Sequence, residues 1–312
     1  GLDRQLLNFA AADFGDLDFR NTKADYSGSI VIANANKLVT SEGKAGVSDF
    51  SVLAPEFAGR PTPEMNLSMN HKFSLDMQTN TFSLSDLQMK ASQDNRNVMN
   101  GFLENPIAMN LGTQSDVPPI PPLDFRFKAD RFNLKPFIPF APLPENFQIG
   151  GAFLSSDLGI SSSNNGENIG LKGNAQLGDF SMTFPGGELP STDGKVDLEI
   201  SVNNFSRVNI ADAAMTLSRN DQTGVNAKLS GNVDMDAGTG DMKFDLTQCR
   251  VAFFQPLLPR ESLTLEKGEI QGIVNLNLSE KFQNVALKGN MNLRDLSGTA
   301  GENQIRDLGM QS

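Results

Sequence analysis

Apolar and polar residues alternate with a period of two along most of this chain. The clearest run covers residues 65–77, where Met, Leu, His and Phe occupy the odd positions and Asn, Ser, Lys and Asp occupy the even ones. This period is typical of a β-strand with one apolar and one polar face. At about 3.3 Å per residue the run predicts a strand of roughly 40 Å, much longer than the usual five or six residues.

The same alternation continues through the rest of the sequence, and polar turn residues separate the runs. Turn-forming clusters stand at residues 78–80, 163–166 and 236–240, which predicts hairpins between neighbouring strands. The apolar phase shifts by one residue between Leu84 and Leu87. We therefore expect a β-bulge near Ser85 and Asp86.

One block of sequence occurs three times. Residues 44–51 read KAGVSDFS, residues 172–181 read KGNAQLGDFS and residues 288–297 read KGNMNLRDLS. The Asp of the second block lies 130 residues after that of the first, and the Asp of the third lies 116 residues after that of the second. A block that returns at a nearly constant period is typical of a structural unit copied along an elongated molecule. The three aspartates concerned are Asp49, Asp179 and Asp295.

The repeat divides the chain into three predicted units, residues 1–131, 132–248 and 249–312, of which the third is incomplete. Short apolar segments, two of them with Pro inside or just after, stand about 46 residues before each block, at residues 3–11, 134–140 and 251–258. These segments predict short helices or turns.

The predicted fold class is therefore all-β, an elongated and mainly antiparallel curled sheet or groove built from repeated units, with a few short helices. Each sheet has an apolar face that must be covered, and long helices are missing. Two arrangements remain: two sheets packed face to face as sandwiches, or one sheet curled into a trough around an apolar ligand.

Composition narrows the possible functions. The net charge of −11 makes nucleic acid an unsuitable partner, because phosphate binding needs clustered Lys and Arg. The sequence holds one His, His71, and one Cys, Cys249, so zinc sites and Ser/His/Asp or Cys/His triads are excluded. A lone His on an apolar strand face is typically structural. We expect a protein that is not an enzyme, with no catalytic residues, cofactor or metal.

A carbohydrate-acting enzyme is the weakest alternative. The 37 acidic residues leave carboxylate pairs such as Asp234 and Asp236 open by number alone, but no spacing singles one out. The chain also has no Trp and a single Tyr, the side chains on which sugars stack.

No run approaches the roughly 18 apolar residues of a membrane-spanning helix. The chain does not begin with Met, so we expect a piece of a longer protein.

The alternating strands could shield a lipid from water. A phospholipid with two chains of about 16 carbons carries roughly 25 kcal/mol of hydrophobic free energy, at about 0.8 kcal/mol per CH₂. Long strands with Met, Phe, Leu and Val at every second position offer a continuous apolar lining for such a molecule. Ordinary sheet packing is the alternative at every one of these positions. The predicted lining residues are Met65, Leu67, Met69, Phe73, Leu75, Phe82, Leu84, Val196, Leu198, Ile200, Val225, Leu229 and Val233.

The chain resembles the AsmA-like proteins of diderm bacteria. The resemblance is carried by the repeated Lys-Gly-Asn…Asp-Phe/Leu-Ser block, by TFSLSDLQMKAS, and by QIGGAFLSSDLGI and EIQGIVNLNL, which each follow a short apolar segment. It covers nearly the whole chain as repeat layout, and the inner-membrane helix that begins such proteins has no counterpart here. The resemblance implies a periplasmic repeating β-groove, similar to bridge-like lipid-transfer proteins, and carries over no catalytic residue.

Pattern and resemblance together lead to one principal hypothesis. We expect a lipid-binding and lipid-transfer segment that shields phospholipid acyl chains between the inner and outer membranes of the cell envelope. Its partners would be a phospholipid or another acyl-chain lipid, with membrane proteins or membrane surfaces at the chain ends. It would lie in the periplasm, tethered to the inner membrane through a part outside this chain. The alternative is a structural or adhesive β-sandwich repeat protein with a dry core.

Overall fold

The computed structural model describes residues 5, 7–8, 17–53, 59–112, 121–140, 144, 146–258, 263–301 and 303–311. The chain forms two compact units. The N-terminal unit is Gly1–Leu143 with Ser155–Glu167, and the C-terminal unit is Pro144–Leu154 with Asn168–Ser312. The predicted repeat boundaries at residues 131 and 248 do not coincide with this division, and the three-repeat description stays a prediction.

The described residues form sixteen strands of one sheet. The strands of the N-terminal unit are β1 (Lys23–Ala33), β2 (Leu38–Phe50), β3 (Met65–Asp76), β4 (Thr81–Gln93), β5 (Arg96–Leu103), β6 (Ile107–Asn110) and β7 (Leu123–Asn133), followed by β8 (Gln148–Ser163). Those of the C-terminal unit are β9 (Asn168–Phe184), β10 (Gly187–Asn203), β11 (Arg207–Arg219), β12 (Gln222–Asp234), β13 (Thr239–Arg250), β14 (Leu263–Ser279), β15 (Asn284–Ala300) and β16 (Asn303–Gln311).

Each strand pairs with its neighbour in sequence, with one exception. β5 pairs with β7, and β6 pairs with the first four residues of β4. The pairing is antiparallel throughout the registers resolved for β1–β7 and β9–β16, and the sheet is not closed. Strand accounts for 74% of the residues and helix for 6%, which confirms the all-β fold class. The two 3-10 helices span Lys135–Phe140 and Val251–Leu257, within two of the apolar segments singled out in the sequence, while most of the third segment, residues 3–11, lies outside the described residues.

The local predictions on β3 and β4 are confirmed. Strand β3 runs from Met65 to Asp76, and residues 77–80 form the turn into β4. The register slips where Lys72 opposes Asp86 and Phe73 opposes Leu84, so Ser85 is an extra residue in β4. This is the expected bulge, and it keeps Phe82, Leu84, Leu87 and Met89 on one face despite the change of sequence phase.

The repeated block is also a β-bulge. Asp49, Asp179 and Asp295 have φ angles of 52°, 54° and 54°, in the left-handed region that Asp tolerates better than most residues. In each case three residue steps on the bulged strand lie opposite two steps on the next strand, which leaves one extra residue on the bulged strand. The bulged segments are Val47 to Phe50, Leu177 to Phe180 and Leu293 to Leu296. The block therefore marks a point where the strand bends while its apolar side chains stay on one face.

Some of the most buried apolar side chains lie at or beside the 3-10 helices. In the N-terminal unit they include Phe132, whose ring lies 5.2 Å from that of Phe137 in the first helix. In the C-terminal unit they include Val225 and Val251, and the second helix contains Val251 itself. Neither described helix is long and apolar enough to cross a bilayer. Most of the apolar face, away from the helices, remains only half-buried.

Candidate functional site

Cross-strand register aligns apolar side chains into rows in the C-terminal unit. Directly opposed residues share a face of an antiparallel sheet, so a row can be followed from strand to strand. One such row crosses β9 to β15 through Leu171, Ile200, Ile210, Gly231, Met242, Leu276 and Leu287. A second row lies beside the first on the same face, two residues away on most of the strands. It runs through Gly173, Leu198, Ala213, Leu229, Phe244, Val274 and Gly289.

The rows cross seven strands without a charged residue. At about 4.8 Å between strands they extend for roughly 29 Å. Between the two rows β11 has one extra residue relative to both β10 and β12, and this bulge keeps apolar side chains opposite one another. We call this surface the C-terminal apolar face.

The C-terminal apolar face is only half-buried over most of its area in the described part of the chain. Within the two rows Phe244 is 40% exposed and Leu287 67%. Met215, two residues beyond Ala213 on the same face of β11, is 39% exposed. A contiguous exposed apolar patch on a protein generally marks a binding surface. Here the face is built from residues that would form the dry core of a sandwich if a second sheet packed on them.

The opposite face of the same strands carries charge. Lys172 pairs with Glu199 at 3.0 Å, and Lys195 with Asp197 at 2.9 Å. Lys228 and Asp212 follow at 3.7 Å. These exposed pairs add little stability. They make this face hydrophilic, so the sheet has one charged face and one apolar face.

The second 3-10 helix lies at one end of the C-terminal apolar face. Phe253 packs against Gly224 at the start of β12, where an added Cβ would come within 2.0 Å of the ring. The guanidinium of Arg219, at the end of β11, lies 4.5 Å from the centre of the Phe253 ring and donates to the Phe253 carbonyl over 3.2 Å. Gln255, in the same helix, donates a hydrogen bond from its side-chain amide to the Leu263 carbonyl at the start of β14. The helix thus buries one end of the face and leaves the remainder open.

The N-terminal unit has its own apolar row and a concave pocket. The row runs through Tyr26, Ala45, Met69, Met89, Gly101 and Phe127, one residue from each of six successive strands of the sheet. The pocket has a volume of about 400 Å³ and is lined by the part of this row from Ala45 to Phe127, which leaves Tyr26 outside the lining. The other lining residues are Val47, Leu67, Ser68, Lys90, Ala91, Met99 and Asn100. We call it the N-terminal pocket. Its volume lies within the range of about 300–1,000 Å³ that small ligands occupy in proteins.

A polar pair, Tyr26 and His71, lies beside the N-terminal pocket, outside its lining, and Tyr26 opposes the lining residue Ala45. The Tyr26 hydroxyl lies 3.4 Å from Nε2 of His71, and the two rings stack with centroids 5.8 Å apart. His71 in turn stacks on Phe73 at 5.7 Å, and Phe73 meets Phe82 at 5.9 Å. His71 therefore shares the apolar face with its neighbours on β3, as its position in the alternation predicts.

Two glycines make room for the tyrosine. Gly28 and Gly43 oppose each other on β1 and β2, and a Cβ at either would lie 2.6 Å or 2.4 Å from the Tyr26 hydroxyl oxygen. The ring therefore lies flat across both glycines and reaches His71. The sequence pattern does not single out Tyr26 or these glycines as site residues. The contact between the ring and the two glycines depends on the pairing of β1 with β2.

The predicted lining residues divide between the two units. Leu67 and Met69 line the N-terminal pocket, while Phe73, Leu75, Phe82 and Leu84 continue the same face beyond His71. Met65 opposes Phe50 at the bulge end of β3. In the C-terminal unit, Leu198, Ile200, Leu229, Val196 and Val233 lie in apolar rows. Val225 is only 6% exposed and belongs to the buried end of that face.

Asp234, one of the two carboxylates noted in the sequence, has structural partners. Asp234 accepts a hydrogen bond from the Ala237 backbone at 2.8 Å and from Arg207 at 3.0 Å, and these interactions, the backbone one foremost, lower the pKa of its carboxyl group. A carboxylate held ionised in a turn is a poor general acid. No group of three or more His, Cys, Asp or Glu side chains placed to hold a metal occurs in the described part of the chain.

Comparison with known proteins finds no match for this chain among protein-family models, curated proteins or solved structures.

Proposed function

We propose that this chain is a non-enzymatic lipid-binding segment whose sheet shields acyl chains from water. The observation that carries the proposal is the C-terminal apolar face, whose residues oppose one another in register across seven strands yet stay near 40% exposed at Phe244 and Met215. An apolar surface of this extent is unfavourable in water unless a ligand covers it. The alternative, a dry-core sandwich, would bury these same residues.

The dimensions suit an acyl chain. Rows of roughly 29 Å exceed the roughly 15 Å that one leaflet contributes to the hydrocarbon core of a bilayer. Met and Phe rows adapt to chains of different length and unsaturation. In this proposal lipid movement is passive, with acyl chains sliding along the apolar face and head groups held toward water.

The biological setting is part of the same proposal. A phospholipid is the ligand we favour, and transfer between the inner and outer membranes, by a periplasmic protein of the AsmA-like type, is the role we favour for it. Support for this comes from the repeat layout of the sequence, now seen as three bulges of the same geometry at Asp49, Asp179 and Asp295.

Native mass spectrometry of the purified chain tests the proposal. We expect co-purified phospholipid, released as whole lipid on activation and identified by extraction. A folded chain that carries no lipid, and that takes up none from phospholipid vesicles, would contradict the proposal and favour a structural role.

A further inference from the structure

We infer that the N-terminal pocket is a discrete site for a single-chain amphiphile with a carboxylate head, whose tail fills the pocket and whose head meets the Tyr26 hydroxyl. This deepens the proposed function, on which it rests, by giving one stretch of the apolar face a defined ligand class and a polar contact. The tail would follow the row from Ala45 to Phe127.

The shape of the pocket suits one chain rather than two. Its lining spans five adjacent strands, from Ala45 on β2 to Phe127 on β7, or about 19 Å at about 4.8 Å per strand. This is close to the roughly 15 Å length of the acyl region of one bilayer leaflet. Ala45, Ala91 and Gly101 form a low floor, while Leu67, Met69, Met89 and Met99 stand around it.

Gly101 is kept small by its surroundings. A Cβ there would come 2.8 Å from the Phe125 ring and 3.5 Å from the end of Met89. The floor of the pocket and the packing of Phe125 therefore both depend on this glycine.

The polar end is built around Tyr26. The ring is laid across Gly28 and Gly43, and its hydroxyl meets Nε2 of His71. A tyrosine hydroxyl has one donor and two acceptor positions, so the contact with His71 leaves capacity for another group. Tyr26 is 58% exposed and opposes Ala45, the lining residue on the strand next to β1. A ligand head that leaves the pocket past Ala45 can therefore reach this hydroxyl.

His71 acts as a positioning residue in this site. Its Nδ1 is shielded from solvent and finds no hydrogen-bond partner among the described residues, so the Tyr26 hydroxyl is the polar group that it engages. Stacking between Tyr26 and Phe73 holds the imidazole in place. The polar pair therefore adds hydrogen-bonding groups to the apolar face at one defined point. A surface along which acyl chains only slide would not need such groups.

Equilibrium dialysis with radiolabelled dodecanoate tests the inference, with methyl dodecanoate as the competitor that lacks the carboxylate. We expect Tyr26→Phe to weaken dodecanoate binding about five- to tenfold, the effect of losing one hydrogen bond. Methyl dodecanoate should be weakened less, because its ester carbonyl is a poorer hydrogen-bond acceptor than an ionised carboxylate. Ala45→Leu should fill the floor and weaken both ligands by more than about tenfold. Lys44→Ala, the exposed neighbour on the opposite face, is the matched control and should bind like the unmodified chain.

The outcomes separate this inference from the proposed function. Equal dodecanoate affinity for the Tyr26→Phe variant would overturn the head assignment, and equal affinity for a folded Ala45→Leu variant would overturn the pocket assignment. No dodecanoate binding to a chain that still carries phospholipid in native mass spectrometry would overturn the inference alone. No binding of either ligand would overturn both. Because Tyr26→Phe removes a single oxygen atom from an exposed ring, its result does not depend on whether the Ala45→Leu variant folds.

Discussion

The backbone N–H of Asp179 donates a hydrogen bond to Oδ1 of Asp193 on the next strand, over 2.9 Å. The N–H of Asp49 makes the same contact with Oδ1 of Asn66, over 3.0 Å. Each donor belongs to a left-handed residue in a bulge, where the regular ladder of the sheet does not supply an acceptor. The following strand thus provides a side-chain oxygen that stabilises the bend of the repeated block.

This contact predicts a specific effect at residue 193. Asp193→Ala should lower the free energy of unfolding by about 1 kcal/mol, because the Asp179 N–H loses its acceptor. Asp193→Asn should be nearly neutral, since Asn66 shows that an amide oxygen serves in the N-terminal unit. Urea unfolding followed by circular dichroism measures both variants. Equal losses for Ala and Asn would show that the hydrogen bond is unimportant.

The left-handed backbone of Asp179 predicts an effect of side-chain shape. Asp179→Val should destabilise the protein by about 1–2 kcal/mol, because a β-branched residue fits poorly at a φ of 54°. Asp179→Gly should be tolerated, since glycine adopts this conformation without strain. Asp197→Val, on a regular part of β10, is the control, and thermal unfolding compares all three. An Asp179→Val variant as stable as the control would argue against the bulge.

The C-terminal apolar face predicts opposite outcomes for two charge substitutions. Phe244→Asp should leave the fold intact, because Phe244 is 40% exposed, but should reduce bound lipid in native mass spectrometry. Val225→Asp places a charge at a site that is 6% exposed, and should unfold the C-terminal unit. If Phe244→Asp also unfolds the protein, its face is a structural core and not a binding surface.

The second 3-10 helix predicts an asymmetry between two glycines. Gly224→Ala should destabilise the protein by about 2 kcal/mol or more, because the new Cβ would fall 2.0 Å from the Phe253 ring and displace the helix. Gly178→Ala has its nearest neighbour at 3.7 Å and should be nearly neutral. Hydrogen exchange should show faster exchange at residues 251–257 in the first variant alone. Unchanged exchange there would contradict the packing role of Phe253.

An ion-pair network in the N-terminal unit predicts a pH effect. Arg126 contacts Asp157 through Nε at 2.5 Å and through Nη2 at 2.9 Å, and Lys128 adds a contact at 3.3 Å. The hydrogen bond from Arg126 is the main cause that lowers the pKa of the Asp157 carboxyl group in the folded chain. The stabilisation is then complete above the unfolded-state pKa of about 3.9 and is lost as the pH falls through the lower, folded-state pKa.

The measurement is a comparison of Asp157→Asn with the unmodified chain across pH. We expect the variant to have a lower urea midpoint at pH 7, by a small amount because the pair is partly exposed, and the difference to disappear in strong acid. High salt should shrink it at pH 7. A midpoint difference that is the same at pH 7 and in strong acid would show that packing, and not charge, accounts for the effect.

Some of the fold could be read directly from sequence. The alternation at residues 65–77 predicted β3, and the phase shift after Leu84 predicted the bulge at Ser85, because both depend only on the two-residue period of a strand. The repeated block was recognised, but its left-handed Asp residues were not, since a bulge and a regular strand can share the same residue types.

The candidate site needed contacts between residues distant in sequence. Tyr26 meets His71, 45 residues away, only because β1, β2 and β3 pair in one register, and a slip of one residue would send these side chains to opposite faces. The predicted lining residue Val225 is buried because β12 starts beside the 3-10 helix, a neighbour that its own strand pattern does not reveal.

The sequence by itself determined that this chain is a set of long antiparallel strands with one apolar and one polar side, because backbone geometry turns a period of two into two faces. Only the tertiary structure decided that the apolar side chains of successive strands stand opposite one another and, among the described residues, remain mostly half-buried. That outcome depends on pairing register and on where the bulges and 3-10 helices fall, and these are set by packing between segments that local pattern does not connect.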